Sequence, residues 1–269
     1  RVVPLPVDEQ GAQRFVLLST IVEEFVPRLF EGMAVLGCHQ FRLTRNSDLF
    51  VDEEEADDLR LALQGELMHR RYGAAVRLET SIDCPTELVD FLLRQFAMST
   101  RDLYRVPTPV NLHRLSTIVD LASGSERKYP PFLAALPKRL GPLPDLFETI
   151  RHGNLLLHHP FQSFAPVVDF LRQTAGDPSV LAIKQTLYRT GADSAIVDAL
   201  VAAAHAGKDV TVVVELRARF DEEANIELSD RLQEAGAHVM YGVVGFKTHA
   251  KLLMVARRES DGIRRYCHL

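Results

Sequence analysis

With 269 residues, 46% of them hydrophobic, the chain can bury a sizeable core, and its length fits one large or two ordinary domains. A net charge of −5 argues against indiscriminate nucleic-acid binding but leaves room for a local basic pocket. The longest apolar runs, such as "VTVVVEL" and "KLLMVA", fall far short of the roughly 20 residues that span a bilayer, and no signal peptide opens the chain. Cys38, Cys84 and Cys267 are widely spaced with no CxxC pair, so neither a disulfide framework nor a zinc site is expected. A cytoplasmic location is expected.

In chain order, "FRLTR" (41–45) predicts a strand. Apolar Leu59, Leu61, Leu63 and Leu67 behind a cluster of acids predict a helix over 53–71. "AAVRLET" predicts a second strand, and a helix follows from Pro85 to Met98. Between 105 and 145 the prolines of "VPTPVN", "SGSERKYPP" and "LPKRLGPLP" break periodic structure and mark a connector. The boundary is placed at residue 136, giving an α+β portion over 1–136 and an α/β domain over 137–269. In the latter, strands are predicted at 154–158, 180–187, 210–216, 238–243 and 249–256, alternating with helices at 163–174, 194–206 and 222–235. Consecutive apolar residues in "VTVVVEL" imply a strand covered on both faces, as in a mixed, mostly parallel sheet. The opening Arg1 and the strand-like "RRYCHL" at the end suggest a fragment whose second domain is truncated.

In an open parallel sheet, ligands collect beyond the C-terminal ends of the strands. Arg189 follows the strand ending near Leu187, and Arg219 follows the one ending near Leu216. Only "VGFKT" separates the strand at 238–243 from the one that His249 begins, which predicts an antiparallel hairpin and brings His249 and Lys251 to the same edge, on one face. A neutral imidazole is a competent nucleophile near neutral pH. Lys251 can neutralise a phosphate oxygen, and arginines offer bidentate forks, so the set suits phosphoryl transfer. Each residue also has a structural reading. HxK is a short motif, and Arg189 and Arg219 could form surface ion pairs, for example with Asp193 or Glu222. Asp221, Glu222 and Glu223 suit a helix N-terminus better than a metal. His158 and His159 lack an acidic partner at ligand spacing, which favours packing. No GxGxxG follows a strand and no GxxxxGK[ST] occurs.

The stretch from "HHPFQSF" through "DPSVLAIKQTLYRTGADSAIVDALVAAAHAGKDVTVVVELRARFDEEANI" to "AGAHVMYGVVGFKTHAKLLMVARRE" closely resembles the bacterial polyphosphate kinases related to phospholipase D. "FRLTRNSDLFVDEEEADDL" is similar to that family's head domain. The resemblance implies part of a head domain followed by a first phospholipase D-like catalytic domain. It also implies reversible transfer of the terminal phosphate of ATP to inorganic polyphosphate, releasing ADP. By this resemblance His249 is the phosphorylated histidine, Lys251 its phosphate-binding companion, and Arg189 and Arg219 belong to the Mg²⁺–phosphate region. Arginine has no lone pair to give a metal, so both would bind phosphate oxygens beside Mg²⁺. A cytoplasmic homo-oligomer with no specific nucleic-acid partner is implied, with peripheral membrane association left open. The phospholipase D motif runs HxKxxxxD, and here Ala256 holds the acid's position. Two alternatives remain: a phosphodiesterase of the phospholipase D class, and an inactive polyanion-binding or interface fragment.

Overall fold

The computed structural model describes residues 1–48, 59–70, 72–107, 109–122, 127–141, 145–190, 194–242 and 245–269. The chain divides into two compact units, one of Arg1–Asp48 with Met68–Pro131, the other of Phe132–Leu269 together with the residues up to Leu67.

In the first unit, β1 (Val2–Pro4) pairs antiparallel with β2 (Phe15–Leu17), which runs into helix α1 (Leu18–Leu29). Strand β3 (Phe41–Arg45) is the predicted "FRLTR". The predicted acidic helix appears as α2 (Leu59–Arg70), which belongs to the second unit as far as Leu67; the part of that prediction before residue 59 lies outside the described residues. Next come β4 (Ala75–Ser81), α3 (Thr86–Gln95), β5 (Leu103–Val106) and the short α4 (Thr117–Leu121). β4 is the centre of a three-stranded sheet, antiparallel to β3 and parallel to β5. Leu78 of β4 packs with Val89, Leu92 and Leu93, so the apolar stripe of α3 and one face of the sheet make this unit's core.

The second unit holds α5 (Leu146–Arg151), α6 (Ala165–Gly176), β6 (Val180–Leu187), α7 (Ala195–His205), β7 (Asp209–Val214), α8 (Glu222–Glu234), β8 (His238–Tyr241), β9 (Leu253–Glu259) and β10 (Gly262–His268). Its sheet runs in the order β10-β9-β6-β7-β8. β6, β7 and β8 are parallel neighbours, whereas β9 is antiparallel to β6 and β10 to β9, so the sheet is mixed. Ile183, Leu200, Val212, Leu232, Leu253 and Val255 form the heart of the core, joined by Leu63 from α2.

Four expectations need correction. Residues 154–158 form no strand, although their apolar run resembles one. In β7, Val210, Val212 and Val214 are buried while Thr211 and Val213 are half-buried, so one face is much better covered than the other. The last predicted strand begins at Leu253, leaving His249 and Lys251 in the segment that leads into it. Finally, β8 and β9 are not a hairpin, since β7 and β6 lie between them. The link from β8 to β9 has to span about 14 Å for three strand spacings, and its described part, residues 245–252, runs along the C-terminal ends of those two strands. Gly242 (φ +63°) and Gly245 (φ +77°) turn the chain into this crossing, in a backbone region that penalises a Cβ. The expectation that His249 reaches the edge carrying Arg189 and Arg219 therefore holds, by a different path.

Far from that edge, a charged cluster ties β9 to its surroundings. The Arg257 guanidinium donates to Asp177 and to Glu259, each at 2.7 Å, and the Tyr266 hydroxyl donates to Glu259 at 2.6 Å. Burial pushes the Asp177 carboxyl up, but Arg257 and the Ser179 amide outweigh it and hold the group below its usual range. The Tyr266 hydroxyl and then Arg257 hold Glu259 down as well.

Candidate phosphate-handling site

The crossing segment is fastened at each end of its histidine. Ahead of it, the Thr248 amide donates to Glu215 at 2.7 Å. The other oxygen of that carboxylate accepts the Arg217 amide at 3.2 Å. Glu215 lies one residue past β7 and is only 6% exposed. Beyond the histidine, the Thr186 hydroxyl donates to the Ala250 carbonyl at 2.6 Å and accepts the Leu252 amide at 2.9 Å. The Thr186 amide donates to the Leu252 carbonyl at 2.9 Å. Thr186 thus continues the β6–β9 ladder with its side chain just where strand pairing ends, and this explains why β9 starts at Leu253.

Asn225 of α8, 3% exposed, braces the strand ends. Its amide group donates to the carbonyls of Tyr188, at 3.0 Å, and Glu215, at 2.9 Å. The two chains that leave β6 and β7 are therefore held at one spacing, and unmade bonds at so buried a group would cost on the order of 1–3 kcal/mol.

Tyr188, one residue past β6, is the hub of the side chains. Its ring meets the His249 ring at 4.8 Å between centroids and 82° between planes. The Lys251 ammonium lies 4.6 Å from the Tyr188 centroid, the Arg189 guanidinium 5.5 Å and Lys247 6.0 Å. Lys251 also donates to the His249 carbonyl at 2.5 Å. Arg189 donates through Nε to Asp221 at 2.7 Å and through Nη2 to the Arg219 carbonyl at 2.7 Å. Asp221 stands at the N-terminal boundary of α8, yet its side chain makes no capping hydrogen bond; its carboxylate goes to Arg189 instead, which corrects the capping expectation. Asp193, named as a possible partner, lies outside the described residues.

Arg219 projects from a tight turn in which the Asp221 amide donates to the Ala218 carbonyl at 2.9 Å. Phe220 within it has φ +73° and is 70% exposed. A bulky residue in that region costs on the order of 1–3 kcal/mol, so the surroundings impose the turn against local preference. The Arg219 guanidinium rests 5.3 Å from the Phe220 ring.

The structure thus gathers His249, Lys251 and Arg189 around one ring, with Arg219 joined to Arg189 through its carbonyl. His158 and His159 lie elsewhere in the unit: His159 Nδ1 is hydrogen-bonded to the Gln162 carbonyl at 2.9 Å, and the His158 ring lies 5.0 Å from that of Phe161. Beside the rim, a cavity of about 510 Å³ is lined by Thr186, Tyr188, Arg189, Lys251, Leu171 and His268 among others. Burial, and then the neighbouring His159, hold His268 below the ordinary histidine value. Sequence reasoning missed Tyr188, Thr186, Glu215 and Asn225. Of these only Tyr188 carried a signal, an aromatic residue directly before the arginine at a strand end.

A mixed α/β sheet that collects cations and an exposed histidine beyond its parallel strand ends has the chemistry that suits phosphate-like anions. Two family models match, the polyphosphate kinase middle domain over residues 1–118 and polyphosphate kinase C-terminal domain 1 over residues 145–269. The chain belongs to the polyphosphate kinase family. It is similar to the polyphosphate kinase of Pseudomonas aeruginosa, 56% identical over 270 residues, covering 100% of this chain and 39% of that relative. The Neisseria meningitidis polyphosphate kinase is 53% identical over the same shares of both chains. The crystal structure of polyphosphate kinase from Porphyromonas gingivalis superposes with a TM-score of 0.75 at 28% identity, covering 98% of this chain and 37% of that one. The chain therefore spans well under half the length of these relatives.

Proposed function

We propose that the chain is the part of a polyphosphate kinase that carries the phosphorylated histidine. The parent enzyme transfers the terminal phosphate of ATP to inorganic polyphosphate, reversibly. The observation that carries this reading is the grouping of His249, Lys251 and Arg189 around Tyr188 at the sheet edge. The unprotonated imidazole nitrogen attacks the γ-phosphorus as the bond to the β-phosphate oxygen breaks and ADP leaves. A terminal oxygen of polyphosphate then attacks the same phosphorus, breaking the N–P bond and restoring His249. Lys251 neutralises the transferred group as a point charge, while Arg189 and Arg219 face oxygens with planar donors.

Mg²⁺ belongs with the substrates in this reading. Among the described residues no group of three or more His, Cys, Asp or Glu is placed to hold a metal, and Asp221 is engaged by Arg189. The rim's donors suit phosphate oxygens, so the ion would be carried on those oxygens. A phosphodiesterase is less well supported: Ala256 sits within β9, between Ala182 of β6 and Arg265 of β10, where the phospholipase D motif has its acid.

The test is phosphate transfer from γ-labelled ATP in the full-length protein bearing this sequence. Acid-labile, base-stable label is expected on His249, and His249→Ala is expected to lose both label and polyphosphate synthesis. Wild-type turnover by that variant, with label on another residue, would overturn the assignment.

A further inference from the structure

We propose that Tyr188 is a positioning residue of this site: its ring sets His249 and Lys251 relative to each other before a phosphate arrives. The inference rests on the proposed role of His249 and adds the element that orients it. Tyr188 is placed for this work from its backbone outward. Asn225 holds its carbonyl and that of Glu215 with one amide group, so the root of the ring is referenced to the end of β7 as well as β6. The segment bearing His249 is referenced to the same two strand ends, through Glu215 before the histidine and Thr186 after it.

The ring's surroundings are those of a site, and the buried core does not include it. The core cluster reaches Leu187, the last residue of β6, and stops there. One residue further, the neighbours of the half-buried Tyr188 are an imidazole and three cationic heads. Edge-to-face contact limits the tilt of His249. The electron-rich face attracts Lys251, which is also hydrogen-bonded to the His249 carbonyl, so its ammonium is held from two directions. Asp221 neutralises Arg189, whereas Lys247 and Lys251 repel one another, and the aromatic ring near both offsets part of that repulsion. The contacts with His249 and Lys251 are made by the ring, and the role is assigned to it.

Substitution in the full-length protein separates this role from plain packing. Label is followed on His249 from γ-labelled ATP, at saturating and at half-saturating nucleotide. Tyr188→Phe keeps both ring contacts and is expected to label within about twofold of wild type. Tyr188→Leu loses both and is expected to label on the order of tenfold more slowly at saturation, with little change in the half-saturating concentration. Because the leucine variant could fold poorly, phenylalanine carrying one, two and then three fluorines is also placed at 188. The shape is kept while the ring face loses its negative potential, so the rate is expected to fall stepwise. A flat response to fluorination, wild-type labelling by Tyr188→Leu, or equal losses in the phenylalanine and leucine variants would each overturn the inference. His249→Ala, run alongside, tells the failures apart. If it is unlabelled, such a result sinks the role of Tyr188 alone; if it keeps its label, the proposed function fails and this inference fails with it.

Discussion

Arg189 uses two edges of its guanidinium on two different elements, Asp221 at the start of α8 and the Arg219 carbonyl in the turn before it. Lysine cannot make both contacts in one plane. Both side chains of the ion pair are well exposed, at 51% and 39%, and such pairs contribute about 0–1 kcal/mol to stability. Arg189→Lys is therefore expected to lower turnover by roughly tenfold or more while leaving the unfolding free energy within about 1 kcal/mol. Chemical denaturation beside steady-state kinetics checks this, and intact turnover with a clear stability loss would make the arginine a structural brace. The four candidate residues were legible because each lies in a link that enters or leaves a strand whose apolar run is plain. The partner of Arg189 was not legible, since Asp221, Glu222 and Glu223 are equivalent in a linear reading. Only the turn at Phe220, with its unfavourable φ, points the first of them back toward β6.

The crossing from β8 to β9 is the element on which the site depends. Thr186→Val is nearly isosteric but leaves the Ala250 carbonyl and the Leu252 amide without the hydroxyl that serves both. A loss of about 1–3 kcal/mol in stability is expected, with a larger relative loss in the rate of His249 labelling, because the slack falls on the segment that carries His249. Denaturant unfolding and the labelling assay on one preparation would show it. An unchanged labelling rate would mean that Glu215 alone suffices to hold the segment. "THAKLLMV" alternates as a strand does, and no linear pattern reveals that a threonine side chain from β6 occupies the ladder before Leu253. Nor could the sequence separate a hairpin from a crossing. That choice depends on β9 finding its hydrogen-bonding partner in β6, with Ile183 paired to Val255, and not in β8. "NLLLH" failed for a related reason: the apolar run at 154–158 has no partner strand among the described residues, and Leu156 within it is 89% exposed.

At the scale of the molecule, the Arg257 cluster stabilises the second unit away from the chemistry. Asp177 and Glu259 both have folded-state carboxyls held below their usual range, so their contribution is complete above about pH 4 and is lost as pH falls through the lower folded values. Arg257→Leu is expected to cost about 1.5–3 kcal/mol at neutral pH, and the gap from wild type should close below pH 4. Unfolding curves from pH 7 to pH 2.5 would measure both effects, and a gap independent of pH would show that packing of Arg257 over Phe147, at 4.8 Å, is what matters. For residues 1–269 alone, weak polyphosphate binding is expected, falling steeply with added salt because the cationic rim is exposed. No sustained synthesis from ATP is expected, since positioning donor and nucleophile can be worth roughly 7–11 kcal/mol and the chain spans only 39% of its Pseudomonas aeruginosa relative. Binding by calorimetry at two salt concentrations and a labelled-ATP assay check the two halves of this expectation.

The strand order carries a consequence for the birth of the protein on the ribosome. β6, β7 and β8 leave the exit tunnel in sequence and can pair as they come, but β9 must return past two of them to dock on the free side of β6. Until it does, Thr186 has no Ala250 to hold, and His249 swings on a loose tether. A nascent or partly folded chain thus has Arg189 and Arg219 in place early and His249 in place late. The surroundings of His249 are thus completed only when β9 docks, after the strands that lead to the two arginines have paired.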